Sequence, residues 1–222
     1  MKKTICIVLS IVMLLSMSYM LTGCKSDAEK IIGSWTADIN FADAFNTGIS
    51  SAEGMEEMGK YFQVSSFILT TTFTFREDGT YTVVHDQDSI KAALESIKGD
   101  LRSGIENYFE DMIEKAGLGM SVSELLAASG QTMDSVMEAM FNGEVMDELI
   151  SEVANEYTGN YRVGDGKIYM TEDTAEEISE EYYDTYELDK DSLTLLECHC
   201  KQEEGYEDVS QSIYPVVLTR TE

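Results

Sequence analysis

Proline, tryptophan, histidine and basic residues are all scarce in this 222-residue chain: one Pro, one Trp, two His, and 15 Lys and Arg against 42 Asp and Glu. Each scarcity excludes something. A net charge of −27 repels phosphate backbones and anionic headgroups, which removes nucleic acid from the possible partners. Four cysteines in a chain of this length are too few for a disulfide scaffold. The histidines, His85 and His199, stand beside no nucleophile motif, and no Gly-x-Ser-x-Gly, Gly-x-Gly-x-x-Gly or Walker pattern occurs. Carboxylates are so abundant that none is singled out as an acid–base pair. The expectation is a chain that is not an enzyme, with no catalytic residue, no metal and no cofactor.

What is present begins at the N-terminus. Lys2 and Lys3 precede an uncharged apolar run from Thr4 to Met20, and Leu21-Thr22-Gly23-Cys24 follows. A basic start, an apolar stretch and small residues before a cut site make a secretory signal. Leu21-Thr22-Gly23-Cys24 resembles the lipobox of bacterial lipoproteins at all four positions. The resemblance implies cleavage between Gly23 and Cys24 and a lipid on the Cys24 thiol. Residues 1–23 are then a signal peptide and 24–32 a lipidated polar tether. The expected location is the extracytoplasmic face of the cell membrane, with the lipid as the contact to the bilayer. Cleavage removes Lys2 and Lys3, so 13 basic residues remain and the net charge becomes −29. Such a body stands off an anionic surface and touches it only through the anchor.

Three textures follow along residues 33–222. The first is β-like. Trp35, Ala37, Ile39 and Phe41 alternate with polar residues, and 67–75 is rich in β-branched and aromatic residues. Asp78-Gly79 then turns the chain into a returning strand at 80–85. The second texture, residues 88–156, is helical. Ile90, Ala93, Leu94, Ile97, Leu101, Ile105, Tyr108, Phe109, Met112 and Ile113 recur in steps of three and four. Asp88 or Ser89 is the expected cap of that helix, Gly117 its stop, and Ser121 and Thr132 start shorter helices. The methionines there, Met112, Met120, Met133, Met137, Met140 and Met146, are expected to fill core space. The third texture is β again, with strands at 157–163, 167–171, 182–188, 192–199 and 212–220. Eight short antiparallel strands can close into a small barrel. The fold class is mainly β with a helical insertion: an antiparallel barrel plus a helical cluster between its third and fourth strands.

Gly33-x-Trp35, the hairpin Phe73 to Tyr81, Asp165-Gly166-Lys167-Ile168-Tyr169 and the closing Val216 to Arg220 occur in an order that resembles the lipocalin-like domains of bacterial lipoproteins. That resemblance covers 33–41, 66–85 and 157–220, not the insertion. It implies that Gly33, Trp35 and Arg220 form a structural signature, with the arginine packed against the indole. The large lipocalin cavity does not carry over, because the strands here are short and compact relatives have filled interiors; the expected role is binding, of a small amphiphile or of a protein partner. Tyr169, Tyr183 and Tyr186 are the candidate ligand contacts, with Arg162 and Lys167 the nearest cations. A structural role in the envelope, acting through the helical insertion, is the alternative.

Two further clusters invite chemistry. Cys198-His199-Cys200 admits a metal site, a disulfide or redox pair, or simple packing. Alternation on a regular strand puts His199 opposite the cysteines and spaces them beyond disulfide reach, so packing is expected. The acidic stretch from Glu172 to Glu181 lacks the spaced pattern of a calcium loop and is expected to be a solvated face.

Overall fold

The computed structural model describes residues 26–51, 59–200 and 212–221. The signal peptide expected at 1–23 and the cut expected between Gly23 and Cys24 lie outside these residues. Among the described residues no helix is long and apolar enough to cross a membrane.

Eight strands form one closed antiparallel barrel in chain order: β1 (Gly33–Asn40), β2 (Ile68–Phe75), β3 (Thr80–His85), β4 (Tyr157–Gly164), β5 (Lys167–Met170), β6 (Tyr183–Leu188), β7 (Ser192–His199) and β8 (Val216–Arg220). β8 closes the barrel on β1 through Trp35↔Arg220 and Thr36↔Thr219. The register slips between Thr185 and Tyr186, where Leu196 of β7 is the extra residue. This bulge is the irregularity in the register of the sheet. Pro215 precedes β8, and the last strand begins at 216 rather than 212. Closure leaves no edge strand for it to occupy.

Inward side chains fill the barrel. Trp35, Ala37, Ile39, Phe75, Tyr81, Val83, Tyr161, Ile168, Tyr186, Leu193, Leu195, Val216 and Leu218 are all buried in one cluster. Phe75 anchors it, with its ring centroid 4.9 Å from Tyr161 and 6.0 Å from Tyr81.

An up-and-down barrel sends alternate connections to opposite ends, and here the two ends differ. One end carries three tight turns, at 76–79, 165–166 and 189–191. It is plugged from below. Ser26 caps a short helix, α1 (Asp27–Lys30), through a capping box with Glu29. Ile31 is fully buried beside Trp35, whose Nε1 donates to the Ile31 carbonyl at 2.6 Å. The Arg220 guanidinium carbon lies 4.1 Å over the indole, and its nitrogens donate to the carbonyls of Ile32 and Lys30. The contact implied for Trp35 and Arg220 is therefore present. Residues 26–32, expected as a free polar tether, are instead docked onto this end, because Ile31 is apolar enough to join the core.

The four long connections, 41–67, 86–156, 171–182 and 200–215, leave and re-enter the barrel at the strand ends of the other side. The second of these is the helical insertion. It leaves β3 and enters β4 at neighbouring points, since Val83 and Tyr157 are register partners. It comprises α3 (Gln87–Ala116), α4 (Val122–Ala128), α5 (Met133–Met140) and α6 (Gly143–Val153). With α2 (Ala42–Ser51) from the first connection, the insertion builds a second core of Ala42, Val64, Leu69, Ile90, Ala93, Leu94 and Ile97. The α3 cap is Asp86, accepting from the Ser89 backbone N–H, and not Asp88 or Ser89. β3 ends at His85, so Asp86 is the first residue free to take cap geometry. Gly104 sits where the 59–62 segment crosses α3; a Cβ there would lie 2.4 Å from the Tyr61 carbonyl oxygen.

Candidate functional site

At the end of the long connections the barrel lining turns polar. On β6, Tyr186 points inward into the core, so Asp184, two residues earlier, points inward as well. Asp184 is 4% exposed and accepts a hydrogen bond from the Tyr214 hydroxyl at 3.1 Å. Among the described residues no cation pairs with it. Burial pushes its carboxyl up to about 6, against the opposing pull of the Tyr214 hydrogen bond. Burial also pushes the Tyr214 and Tyr81 phenols up, and the nearby Asp184 charge adds to both.

Tyr81 donates from its hydroxyl to the Thr171 carbonyl at 3.0 Å, and its ring meets Tyr157 edge-on at 5.8 Å. Gly159 makes this arrangement possible. A Cβ there would fall 1.9 Å from the Thr171 carbonyl oxygen and 2.8 Å from the Tyr81 ring. Close by on the same end, the Thr71 hydroxyl is 2.9 Å from His85 Nδ1, and burial lowers the pKa of His85.

Asp184 faces Cys198 across the β6–β7 ladder. Cys198 and Cys200 form a disulfide with their Cα atoms 5.3 Å apart. The expectation of mere packing is thereby corrected. β7 ends at His199, and Cys200 lies beyond the strand, so the two-residue span contracts below the spacing of about 6.6 Å set by regular strand geometry. His199 does point away from the pair, as alternation predicts. It stacks on Tyr183 at 4.4 Å and lies 3.8 Å from Glu197. The third group near the sulfurs is Asp184, with a carboxylate oxygen and both sulfurs within 4.8 Å of one another. Joined as a disulfide, the sulfurs offer no thiolate to a metal.

The three candidate tyrosines do not converge. Tyr186 is in the barrel core and donates to Asp27 of α1 at 3.2 Å. Tyr169 and Tyr183 lie on the outer face with their rings 5.8 Å apart. Arg162 covers Tyr169 at 4.3 Å and Lys167 covers Tyr183 at 3.6 Å. Their parity explains the split: residues 183 and 186 are three apart on one strand and face opposite sides. Asp184 was missed, although an aspartate two residues before an inward tyrosine is readable in the alternation.

The methionines of the insertion divide. Met137 is buried, and Met133 and Met146 pack partly against apolar clusters. Met112, Met120 and Met140 are 43%, 37% and 46% exposed, so the core role expected for all six holds for only some. A surface pocket of about 480 Å³ lies where α3 meets α4, lined by Glu110, Ile113, Glu114, Met120 and Val122. Among the described residues, Glu172 to Glu181 is exposed except for half-buried Ile178.

No family model, no curated protein and no solved structure matches the chain.

Proposed function

We propose that this chain is a lipid-anchored, extracytoplasmic lipocalin-like module that binds a protein partner through the end bearing its long connections. The observation behind this reading is the difference between the two ends. Cys24 precedes Ser26 by two residues, roughly 7 Å of extended chain. Residues 26–32 dock onto the plugged end, so a lipid on Cys24 turns that end toward the bilayer. The four long connections, with the insertion among them, then face outward, where loops meet ligands.

A filled interior favours a protein over an amphiphile held inside the barrel. The exposed acidic loop and the net charge of −29 left after the proposed cleavage favour a partner with a basic or neutral face. The test is site-specific photo-crosslinking in cells. Crosslinkers at Met140 and Glu176 should give salt-sensitive protein adducts, and crosslinkers at Asp165 and Asp189 should not. Equal adducts from both ends, or none from either, would reject the reading. A panel of neutral and cationic amphiphiles should leave Trp35 fluorescence unchanged.

A further inference from the structure

We propose that Cys198–Cys200 is a thiol–disulfide exchange centre that oxidises a dithiol, with Cys200 the sulfur attacked and Asp184 the proton donor to Cys198. The proposal goes beyond the binding role and does not depend on the lipid anchor.

Placement assigns the roles. Cys200 is exposed and lies beyond the end of β7, so an incoming thiolate reaches it first. Cys198 is half-buried on the strand and faces inward opposite Asp184. The Asp184 carboxylate lies within 4.8 Å of both sulfurs, and its side is buried inside the barrel. His199, between the two cysteines in the chain, is held on the outer face by its stack on Tyr183.

The exchange balances as follows. A substrate thiolate attacks Cys200; a new sulfur–sulfur bond forms as the Cys198–Cys200 bond breaks. The bonding pair leaves on Cys198. Protonated Asp184 gives that sulfur a proton and becomes a carboxylate. The substrate's second thiolate then displaces Cys200, which takes a proton from water. The dithiol loses two electrons and becomes a disulfide, and the Cys198–Cys200 pair is reduced to two thiols. A disulfide oxidant restores the pair, and the Asp184 carboxylate takes back the Cys198 proton.

A carboxyl that titrates at about 6 supports this use, because both of its forms are accessible near neutral pH. Among the described residues, the groups facing it are few. Tyr81 of β3, Tyr157 of β4 and Tyr214 before β8 are phenols, neutral in this range. Glu172, after β5, is the other carboxylate whose charge reaches Tyr81 and Tyr157. β7 contributes Cys198, and Cys200 follows just beyond it.

The experiment uses the mature lipoprotein in detergent. Oxidised protein is mixed with reduced glutathione, acid-quenched, alkylated and mapped by mass spectrometry. The mixed disulfide should sit on Cys200. At constant glutathione thiolate, the exchange rate should fall as pH rises through about 6. Asp184→Asn should abolish that pH limb and slow exchange below pH 6 roughly a hundredfold. Tyr214→Phe removes the hydrogen bond that holds the Asp184 pKa down, so it should keep the limb and move it to higher pH. Three results would each overturn the proposal: an adduct on Cys198, a limb that survives in Asp184→Asn, or thiols in the isolated protein that oxidised glutathione does not convert.

Discussion

Replacing Arg220 with alanine should loosen the plug beneath the barrel, and its cost follows from the contacts. The guanidinium carbon stands 4.1 Å over Trp35, which is fully buried. A cation–π contact desolvated on one side contributes about 1–2 kcal/mol. The part-buried hydrogen bond to the Ile32 carbonyl, 3.0 Å long, adds about 1.5–3 kcal/mol because the donor is charged. The bonds to Lys30 and Lys190 are exposed and are left out of the sum. Side-chain entropy released by the truncation returns about 1–2 kcal/mol. The net loss should be about 2 kcal/mol within a span of about 0.5–4, or a melting midpoint lower by roughly 4–8 °C for a chain of this size. Lysine keeps the charge but lacks the planar fork, so Arg220→Lys should recover less than half of the loss. Urea titration followed by fluorescence reads this site alone, because Trp35 is the only tryptophan. An Arg220→Ala midpoint within error of the wild type, or an Arg220→Lys variant as stable as the wild type, would refute the plug.

Three other perturbations test the rest of the fold. Gly159→Ala should destabilise by about 1–3 kcal/mol or more, since the added methyl meets the Thr171 backbone; a neutral result in urea titration would mean that β4 and the 171–182 connection are not so close. Asp184 carries a raised folded-state pKa, so its cost to stability grows as pH rises from 3.8 to about 6 and is complete above that; Asp184→Asn should then be more stable by up to roughly 3 kcal/mol at pH 7.5 and no more stable at pH 4. An effect that does not change with pH would contradict this. Replacing residues 88–156 by a short Gly-Ser linker should keep the β signal in circular dichroism, because Val83 and Tyr157 are paired and closure depends only weakly on loop length; complete loss of that signal would mean that the barrel needs the insertion to form.

The barrel was legible because its residues repeat a short rule. Alternation in Trp35, Ala37, Ile39 and the turn at Asp78-Gly79 locates β1 to β3 within a residue or two, and the steps of three and four locate α3. What stayed hidden depends on contacts between distant segments. Nothing near Ile31 shows that it will be buried under Trp35. Gly104 is small because Tyr61 crosses over it, 43 positions away in the chain. The Cys198–Cys200 bond depends on where β7 ends, a matter of one residue, and regular strand spacing predicts the opposite. Asp184 was within reach of the alternation but was masked by the abundance of acids around it. The tyrosines were grouped by their proximity in sequence, which ignored parity.

The central claim is orientation: the plugged end toward the bilayer and the end of the long connections away from it. The most direct measurement places the mature chain, once mass spectrometry has verified the proposed lipid on Cys24, in vesicles doped with gadolinium-chelate headgroups. Amide resonances are then compared with and without the paramagnet. The account predicts broadening at the turns 76–79, 165–166 and 189–191, with 122–153 and 171–182 left sharp. Broadening of the insertion and the acidic loop instead, or equal broadening at both ends, would contradict it.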